Sequence, residues 1–216
     1  MNVYILRHGE TDWNKKGILQ GSTDIPLNAL GIEMAEKTRN GLLRDKIFFD
    51  MIISSPYLRA RETAEIIAGP GNITVVSNYL LREMCFGKYE GHKISDFQKY
   101  SEYRGISKAF YDPVHYQNEG EAESYEDLFI RISDFLTNNL LPLESTCENV
   151  LLVCHSAVIR AFICLINNMP LDAYWSISLV NCGINIAKVE NGHIKMTDKK
   201  LIYYDNKVDN TKRFFV

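Results

Sequence analysis

The feature that most constrains the fold is an alternation of short apolar runs with longer segments of helical periodicity. Four runs rich in apolar residues, most of them β-branched, are predicted to be buried strands: 3–6, 51–54, 73–76 and 150–153. Between them, apolar residues recur at the three- and four-residue spacing of amphipathic helices. This alternation predicts an α/β fold, a three-layer sandwich with a mostly parallel central sheet.

Local signals predict where the helices begin. Asn28 and Ser124 are predicted N-caps, because each precedes a segment of helical periodicity and carries an oxygen that can accept a backbone N–H. Ser55-Pro56 is predicted to be an N-cap followed by the first helical residue. The N-terminus of that helix is then expected to supply backbone donors and the positive end of a helix dipole.

The organisation of the chain favours a single domain. Residues 1–216 contain no linker, repeat or low-complexity stretch. Asn191-Gly192 between two β-rich runs predicts a hairpin, and the polar C-terminal tail is expected at the surface. Residues from about 84 to 123 are less regular and rich in glycine and aromatic residues, so they are predicted to form an insertion. Its aromatic residues either line a pocket for a nucleoside or sugar phosphate or, as expected for most of them, form the core of the insertion.

Composition and charge exclude several functional classes. The net charge is −3, from 24 Lys+Arg and 27 Asp+Glu, and no basic block marks a nucleic-acid interface. No apolar run approaches the ~20 residues of a membrane helix, and no secretory signal pattern is found. The five cysteines lack metal-ligand spacing and are interpreted as reduced thiols. We expect a cytoplasmic protein without membrane or nucleic-acid partners; its oligomeric state stays open.

Residues able to do chemistry stand near the ends of the predicted strands. Arg7 and His8 follow the first strand, and Arg59 lies in the first turn of the helix after the second. Glu83 follows the third strand, and His155 follows the fourth. Because ligands in such sheets bind beyond the carboxyl ends of the strands, we expect these five side chains to converge.

This combination of side chains suits a phosphoryl group. Guanidinium and imidazole groups offer N–H donors to phosphoryl oxygens, and an imidazole can attack phosphorus. A carboxyl group kept protonated by its surroundings can protonate the departing alkoxide. Taken singly, each residue has a structural reading instead: an ion-pairing arginine, a hydrogen-bonded histidine or a surface glutamate.

A series of short motifs runs through residues 3 to about 185. They are Leu6-Arg7-His8-Gly9-Glu10-Thr11 with Trp13-Asn14, Gln20-Gly21, Asp24, Pro26-Leu27, Gly31, Ser54-Ser55-Pro56 with Leu58-Arg59-Ala60 and Thr63-Ala64, Leu81, Glu83, Phe86-Gly87, Glu90-Gly91, and Val153-Cys154-His155 with Ile159-Arg160. In residues, order and spacing this series resembles the motifs of the histidine phosphatase superfamily, also called phosphoglycerate mutase-like.

The resemblance implies a role for each of the five residues. His8 is expected to accept the phosphoryl group, and Arg7, Arg59 and His155 are expected to hold it. Glu83 is expected to be the general acid. The family uses no metal and no organic cofactor, so neither is expected here.

Further residues are implied to contact the substrate. Asn14 is expected to contribute its side chain, and Gln20 and Gly21 their backbone. Ser156 stands where the family usually has glycine, so its side chain either crowds the phosphate or adds a hydroxyl donor. The family's Gly-Glu-Ser element appears here as Ala122-Glu123-Ser124. The role of that element stays open beyond the Ser124 cap.

The choice between phosphatase and mutase depends on the insertion, which is expected to cap the substrate. Mutases of this family carry an arginine pair where this chain has about Lys108-Ala109, and usually a tyrosine at Phe86. Without two guanidinium groups a second anion loses its anchor. We therefore predict a metal-independent phosphatase that hydrolyses a small phosphate monoester through phosphohistidine. Two alternatives stay open: a non-catalytic phosphate-binding module, and a mutase whose second anion is held by Lys108, Arg104 or Lys88.

Overall fold

A six-stranded sheet forms the centre of the computed structural model, which describes residues 1–71 and 73–204. Its strands are β1 (Asn2–Arg7), β2 (Met51–Ser54), β3 (Val75–Ser77), β4 (Asn149–Cys154), β5 (Ile184–Glu190) and β6 (His193–Leu201). They lie in the order β3-β2-β4-β1-β5-β6. Strands β1 to β4 are parallel, and β5 runs antiparallel to both neighbours.

Helices cover both faces of this sheet. The described α-helices are α1 (Asp12–Lys16), α2 (Ala29–Arg44), α3 (Leu58–Ala68), α4 (Arg104–Tyr111), α5 (Tyr125–Asp134) and α6 (Ser156–Asn167). A π-helical turn, Phe135–Leu140, extends α5. No helix among the described residues is long and apolar enough to cross a membrane.

The pleat of the strands divides the core into two halves. In β1, Tyr4 and Leu6 pack with residues of α2 and α3, such as Leu42. Val3 and Ile5 point the other way and pack with residues of α5 and α6. A strand covered on both faces must be apolar at every position, which explains the unbroken apolar runs. The predicted three-layer α/β fold is confirmed.

Most of the predicted element ends are confirmed. Asn28 accepts the backbone N–H of the residue three positions on at 2.8 Å, and Ser124 does the same at 3.0 Å. The Asn191-Gly192 turn joins β5 and β6 with positive φ at both residues. Strand β3 lies one to two residues later than predicted. The predicted surface tail falls largely on residues 205–216, outside the described residues.

The predicted start of α3 at Ser55-Pro56 is wrong. The helix begins at Leu58, after Tyr57. Ser55 instead prolongs the sheet, because its N–H donates to the carbonyl of Val153 at 2.9 Å. The Leu58 N–H donates to the Asp24 carboxylate at 2.7 Å. A side chain distant in sequence thus does the capping, and this helix N-terminus is already occupied.

The insertion at 84–123 contains several short 3-10 helices and α4. The sequence predicted one short helix near residues 95–100, where the structure has a 3-10 helix at Ile94–Asp96, but it did not predict α4. The prediction that most aromatic residues of the insertion form a core holds only for some of them. Tyr89 and Phe110 are buried and join the core beneath α5 and α6, whereas Tyr100 and Tyr111 are exposed. The insertion therefore rests on the main core through some of its aromatic residues and presents others to solvent.

Candidate active site

The carboxyl ends of β2, β4 and β1 lie side by side and carry the candidate site. The hydrogen-bond ladder continues one residue past β1, because the His8 N–H donates to the carbonyl of Cys154 at 3.0 Å. The rings of His8 and His155 are consequently 5.1 Å apart, centre to centre. Arg7, His8, Arg59 and Glu83 line one cleft, with buried His155 beside His8.

The hydrogen bonds of His8 define its tautomer. Its Nδ1 lies 2.7 Å from the carbonyl oxygen of Gly9, which can only accept, so Nδ1 carries the proton. Burial, and then Arg59 and Arg7, hold the pKa of His8 well below its usual value. The neutral ring therefore has its lone pair on Nε2.

Close packing explains the glycine that follows His8. A Cβ atom on Gly9 would lie 2.6 Å from the carbonyl oxygen of Gly31, in the first turn of α2. The Gly9 N–H donates to Thr63 Oγ1 at 3.0 Å, and Asn181 Nδ2 donates to the carbonyl of His8 at 2.9 Å. The sequence singled out Thr63 as part of a matching motif but gave it no role, and Asn181 was missed. Both hold the backbone around the imidazole.

Arg59 is a fully buried cation held by carbonyl groups. Its Nη1 donates to the Thr23 carbonyl at 2.9 Å and its Nη2 to the Gly21 carbonyl at 2.7 Å. Within residues 1–71 and 73–204, its Nε has no hydrogen-bond partner and no carboxylate is within ion-pair distance. Burial lowers the pKa of Arg7 to about 10, which still leaves it cationic at neutral pH. The cleft is thus positively charged.

His155 is fixed by a serine that sequence reasoning did not assign to the site. Its Nε2 lies 2.7 Å from Ser55 Oγ. Its Nδ1 is buried and has no hydrogen-bond partner among the described residues. Burial, and then Arg59 and His8, lower its pKa well below the usual value. The motif Ser54-Ser55-Pro56 at the end of β2 was the available signal.

Glu83 contacts backbone donors at the edge of the cleft. Its Oε1 accepts the Met84 N–H at 2.9 Å, and its Oε2 accepts the Ala157 N–H at 3.2 Å. Burial raises the pKa of this carboxyl, opposed by those N–H groups and by Arg59. Because Ala157 lies in the first turn of α6, the helix N-terminus that serves the site belongs to α6. The prediction that assigned this role to the helix near Pro56 is wrong.

The other predicted contact residues also line the cleft: Asn14, Gln20, Gly21 and Ser156. Asn14 Oδ1 accepts the Thr11 N–H at 3.2 Å, and Gln20 Oε1 accepts the Thr11 hydroxyl at 2.8 Å. Since the amide oxygens are engaged, the amide nitrogens are the ends suited to donate to a ligand.

Ser156 makes a contact that glycine would lack. Its Oγ accepts a hydrogen bond from Nη1 of Arg160, one turn later in α6. The Arg160 guanidinium carbon lies 4.6 Å from the ring centre of Trp175. Ser156 therefore links the N-terminus of α6 to Trp175 through Arg160.

The outer wall of the cleft is apolar. The ring centres of Phe86 and Phe110 are 5.6 Å apart, and those of Phe110 and Trp175 are 5.0 Å apart. Trp175 Nε1 donates to the carbonyl of Ala109 at 2.6 Å, which fixes the indole against α4. Three aliphatic residues lie beside these rings in the lining of the cleft: Ile18, Leu19 and Ile94. The three rings and these residues together are called the aromatic wall below. Sequence reasoning missed Trp175, which carries no local signal.

The cations proposed for a mutase lie elsewhere. Arg104 and Lys108 line a separate surface groove, together with Tyr100. Lys88 pairs with Glu119 at 2.8 Å on the surface. In the described part of the chain, no three His, Cys, Asp or Glu side chains are grouped so that they could hold a metal ion. Metal independence stays a prediction.

Comparison with known families matches residues 3–200 to the histidine phosphatase superfamily (branch 1). The chain belongs to this superfamily. The family resemblance predicted from the motifs is thereby confirmed. The site residues assigned from that resemblance converge, and their catalytic roles are taken up below as proposals.

Several superfamily members are similar over most of their length. "Putative phosphoserine phosphatase 2" of Hydrogenobacter thermophilus is 31% identical over 214 residues, covering 98% of each chain. "Probable phosphoglycerate mutase GpmB" of Proteus mirabilis is 31% identical over 88% of this chain and 86% of that one. A phosphoserine phosphatase of Entamoeba histolytica, solved with 3-phosphoglyceric acid, is 28% identical with a TM-score of 0.75, covering 95% of this chain and 98% of that one.

Proposed function

We propose that this protein is a metal-independent phosphatase that hydrolyses small phosphate monoesters through a phosphohistidine at His8. The observation that carries the proposal is the state of His8: a neutral imidazole with its lone pair on Nε2, beside two buried guanidinium groups. Similar superfamily members named as phosphatases support hydrolysis of phosphate esters.

The first step transfers the phosphoryl group to the enzyme. His8 Nε2 attacks phosphorus, the N–P bond forms, and the P–O bond to the alcohol breaks. Arg7, Arg59 and His155 donate hydrogen bonds to the phosphoryl oxygens, which carry most of the charge in a loose transition state. Glu83 gives its proton to the leaving alkoxide, consistent with a pKa raised by burial.

The second step returns the enzyme to its starting state. Water attacks phosphorus, the Glu83 carboxylate takes the proton from that water, and the N–P bond breaks to release inorganic phosphate. The proton on His8 Nδ1 stays on its bond to Gly9 throughout. The imidazole therefore leaves as a neutral group with its lone pair restored.

The aromatic wall favours hydrolysis over mutation. A mutase must hold the second anionic group of its substrate while the phosphoenzyme is shielded from water. Among the described residues, those of the wall contribute hydrocarbon and rings, and the three cations considered for a second anion lie outside the cleft: Arg104, Lys108 and Lys88. The similarity to a named mutase keeps phosphotransfer as the second candidate. A phosphate-binding module without catalysis is a third.

The insertion at 84–123 is proposed to be the substrate cap of a single domain spanning residues 1–216. Phe86 and Phe110 come from this segment and line the same cleft as His8. We propose that they contact the alcohol part of the ester, while the strand-end residues hold the phosphoryl group. Contacts from Asn14, the Gln20-Gly21 segment and Ser156 belong to the same proposal.

The test is a product analysis in the presence of EDTA. The enzyme is incubated with 3-phosphoglycerate, with and without bisphosphoglycerate primer, and 2-phosphoglycerate and free phosphate are both measured. L-phosphoserine, p-nitrophenyl phosphate and a nucleoside monophosphate are run in parallel. We expect free phosphate from at least one ester and little isomer. Isomer formed much faster than phosphate indicates a mutase, and phosphate binding without turnover indicates a binding module.

A further inference from the structure

A buried ion pair lies behind the segment that carries Glu83. Arg131, in α5, donates from Nε to Oε1 of Glu123 at 2.6 Å and from Nη2 to Oε2 at 2.9 Å. Both side chains are 7% exposed. A two-point guanidinium–carboxylate contact fixes the orientation of both groups, and burial protects it from screening by salt.

This pair holds the backbone on both sides of Glu83. Arg131 Nη1 donates to the carbonyl oxygen of Leu80 at 2.6 Å. The backbone N–H of Glu123 donates to the carbonyl oxygen of Cys85 at 2.8 Å. The Glu123–Arg131 pair is therefore hydrogen-bonded to the backbone on both sides of Glu83, at Leu80 and at Cys85.

The segment between these two contacts has little regular structure of its own. Residues 82–86 form neither helix nor strand, so no ladder of backbone bonds fixes them. A proton donor must lie within hydrogen-bond reach of the leaving oxygen, and a 1 Å misplacement costs up to about 10²-fold in rate. Apart from the Met84 N–H, the contacts that hold the Glu83 carboxyl and its backbone therefore come from outside the segment.

We propose that Glu123 and Arg131 are positioning residues that hold Glu83 where it can protonate the leaving oxygen. The proposal rests on the proposed function, in which Glu83 is the general acid. It gives a role to the Ala122-Glu123-Ser124 element that sequence alone left open. Ser124 caps α5, and Glu123 anchors α5 to the acid-bearing segment.

The test measures how strongly kcat/KM depends on the leaving group. Arg131→Met keeps a long side chain but removes the guanidinium donors. Esters from p-nitrophenyl phosphate to glycerol phosphate are compared, because a poor leaving group needs the proton most. We expect glycerol phosphate to lose about tenfold more activity than p-nitrophenyl phosphate. In a Glu83→Gln background, Arg131→Met is expected to add no further leaving-group dependence.

A neighbouring arginine supplies a matched control. Arg82 makes a single 3.4 Å contact with the same Glu123 carboxylate. Arg82→Met leaves the Leu80 and Cys85 contacts in place, so its leaving-group dependence is expected to equal that of the wild type. Should Arg131→Met fail to fold, Glu123→Gln keeps the side-chain size and the backbone bond to Cys85. It is expected to show the same preferential loss on poor leaving groups.

Two results would overturn the positioning role. One is an equal loss on all esters in the variants of the Glu123–Arg131 pair. The other is a leaving-group effect that adds in full to that of Glu83→Gln. If Glu83→Gln itself loses activity equally on all esters, the acid role within the proposed function fails instead. The single variant Glu83→Gln therefore separates the two failures.

Discussion

The two ends of the cleft are built in different ways. At one end, which is proposed to hold the phosphoryl group and is called the phosphate end below, His8 and His155 directly follow buried strands, and Arg59 is held by two backbone carbonyls. At the aromatic wall, Phe86, Phe110 and Trp175 come from distant segments and are held by ring contacts. The sheet therefore holds the residues proposed to do the chemistry. Substitutions in the aromatic wall are expected to change the substrate preference of the enzyme without moving those residues.

The largest expected effect is the loss of the proposed nucleophile at the phosphate end. His8→Ala is expected to lower kcat by about four orders of magnitude or more on every ester, as for other covalent catalysts. The measurement is steady-state turnover, with circular dichroism to show that the fold is retained. Activity within tenfold of the wild type would show that the phosphate end does not act through His8.

The pH profile tests the two titrating groups at the same end. His8 must be neutral, so kcat/KM falls as pH drops through a pKa that lies below 6.5. Glu83 must be protonated, so kcat/KM falls as pH rises through a pKa that lies above 4.5. We expect an acidic optimum with a basic limb of about tenfold per pH unit, and Glu83→Gln should abolish that limb. A basic limb that persists in Glu83→Gln would assign it to another group.

A substitution in the wall should change substrate preference instead. Phe110→Leu loses ring contacts with Phe86 and Trp175, each worth about 0.5–1.5 kcal/mol. We expect KM for 1-naphthyl phosphate to rise by about two- to tenfold, with kcat little changed. Glycerol phosphate is the control, because it has no ring to pack. An equal KM increase for both esters would contradict the assignment of the wall to the alcohol.

The smallest expected effect comes from a cation outside both ends. Lys108 lies in the surface groove, so Lys108→Ala should change kcat/KM for 3-phosphoglycerate by less than about twofold. Comparison of this substrate with p-nitrophenyl phosphate checks the result. A tenfold loss confined to 3-phosphoglycerate would place Lys108 in substrate binding and revive the mutase alternative.

The same contrast explains what the sequence could predict. The strands could be predicted because each is a short apolar run, which is a local signal of burial. The alternation of strands with helices indicates parallel strands, so the edge where Arg7, His8 and His155 meet could also be predicted. The start of α3 was mispredicted because Asp24 caps it from a distant loop. Trp175 was missed because its contact with Phe110 depends on packing between segments far apart in the chain.

The central claim is that phosphate esters are hydrolysed through Nε2 of His8. The most direct measurement is ³¹P NMR of enzyme denatured in alkali during turnover, with peptide mass spectrometry to locate the phosphate. We predict one phosphohistidine, at His8, with phosphorus on Nε2, because the Gly9 carbonyl holds the proton on Nδ1. Phosphate on Nδ1, on His155 or on a serine, or turnover without any phosphoenzyme, would contradict the account.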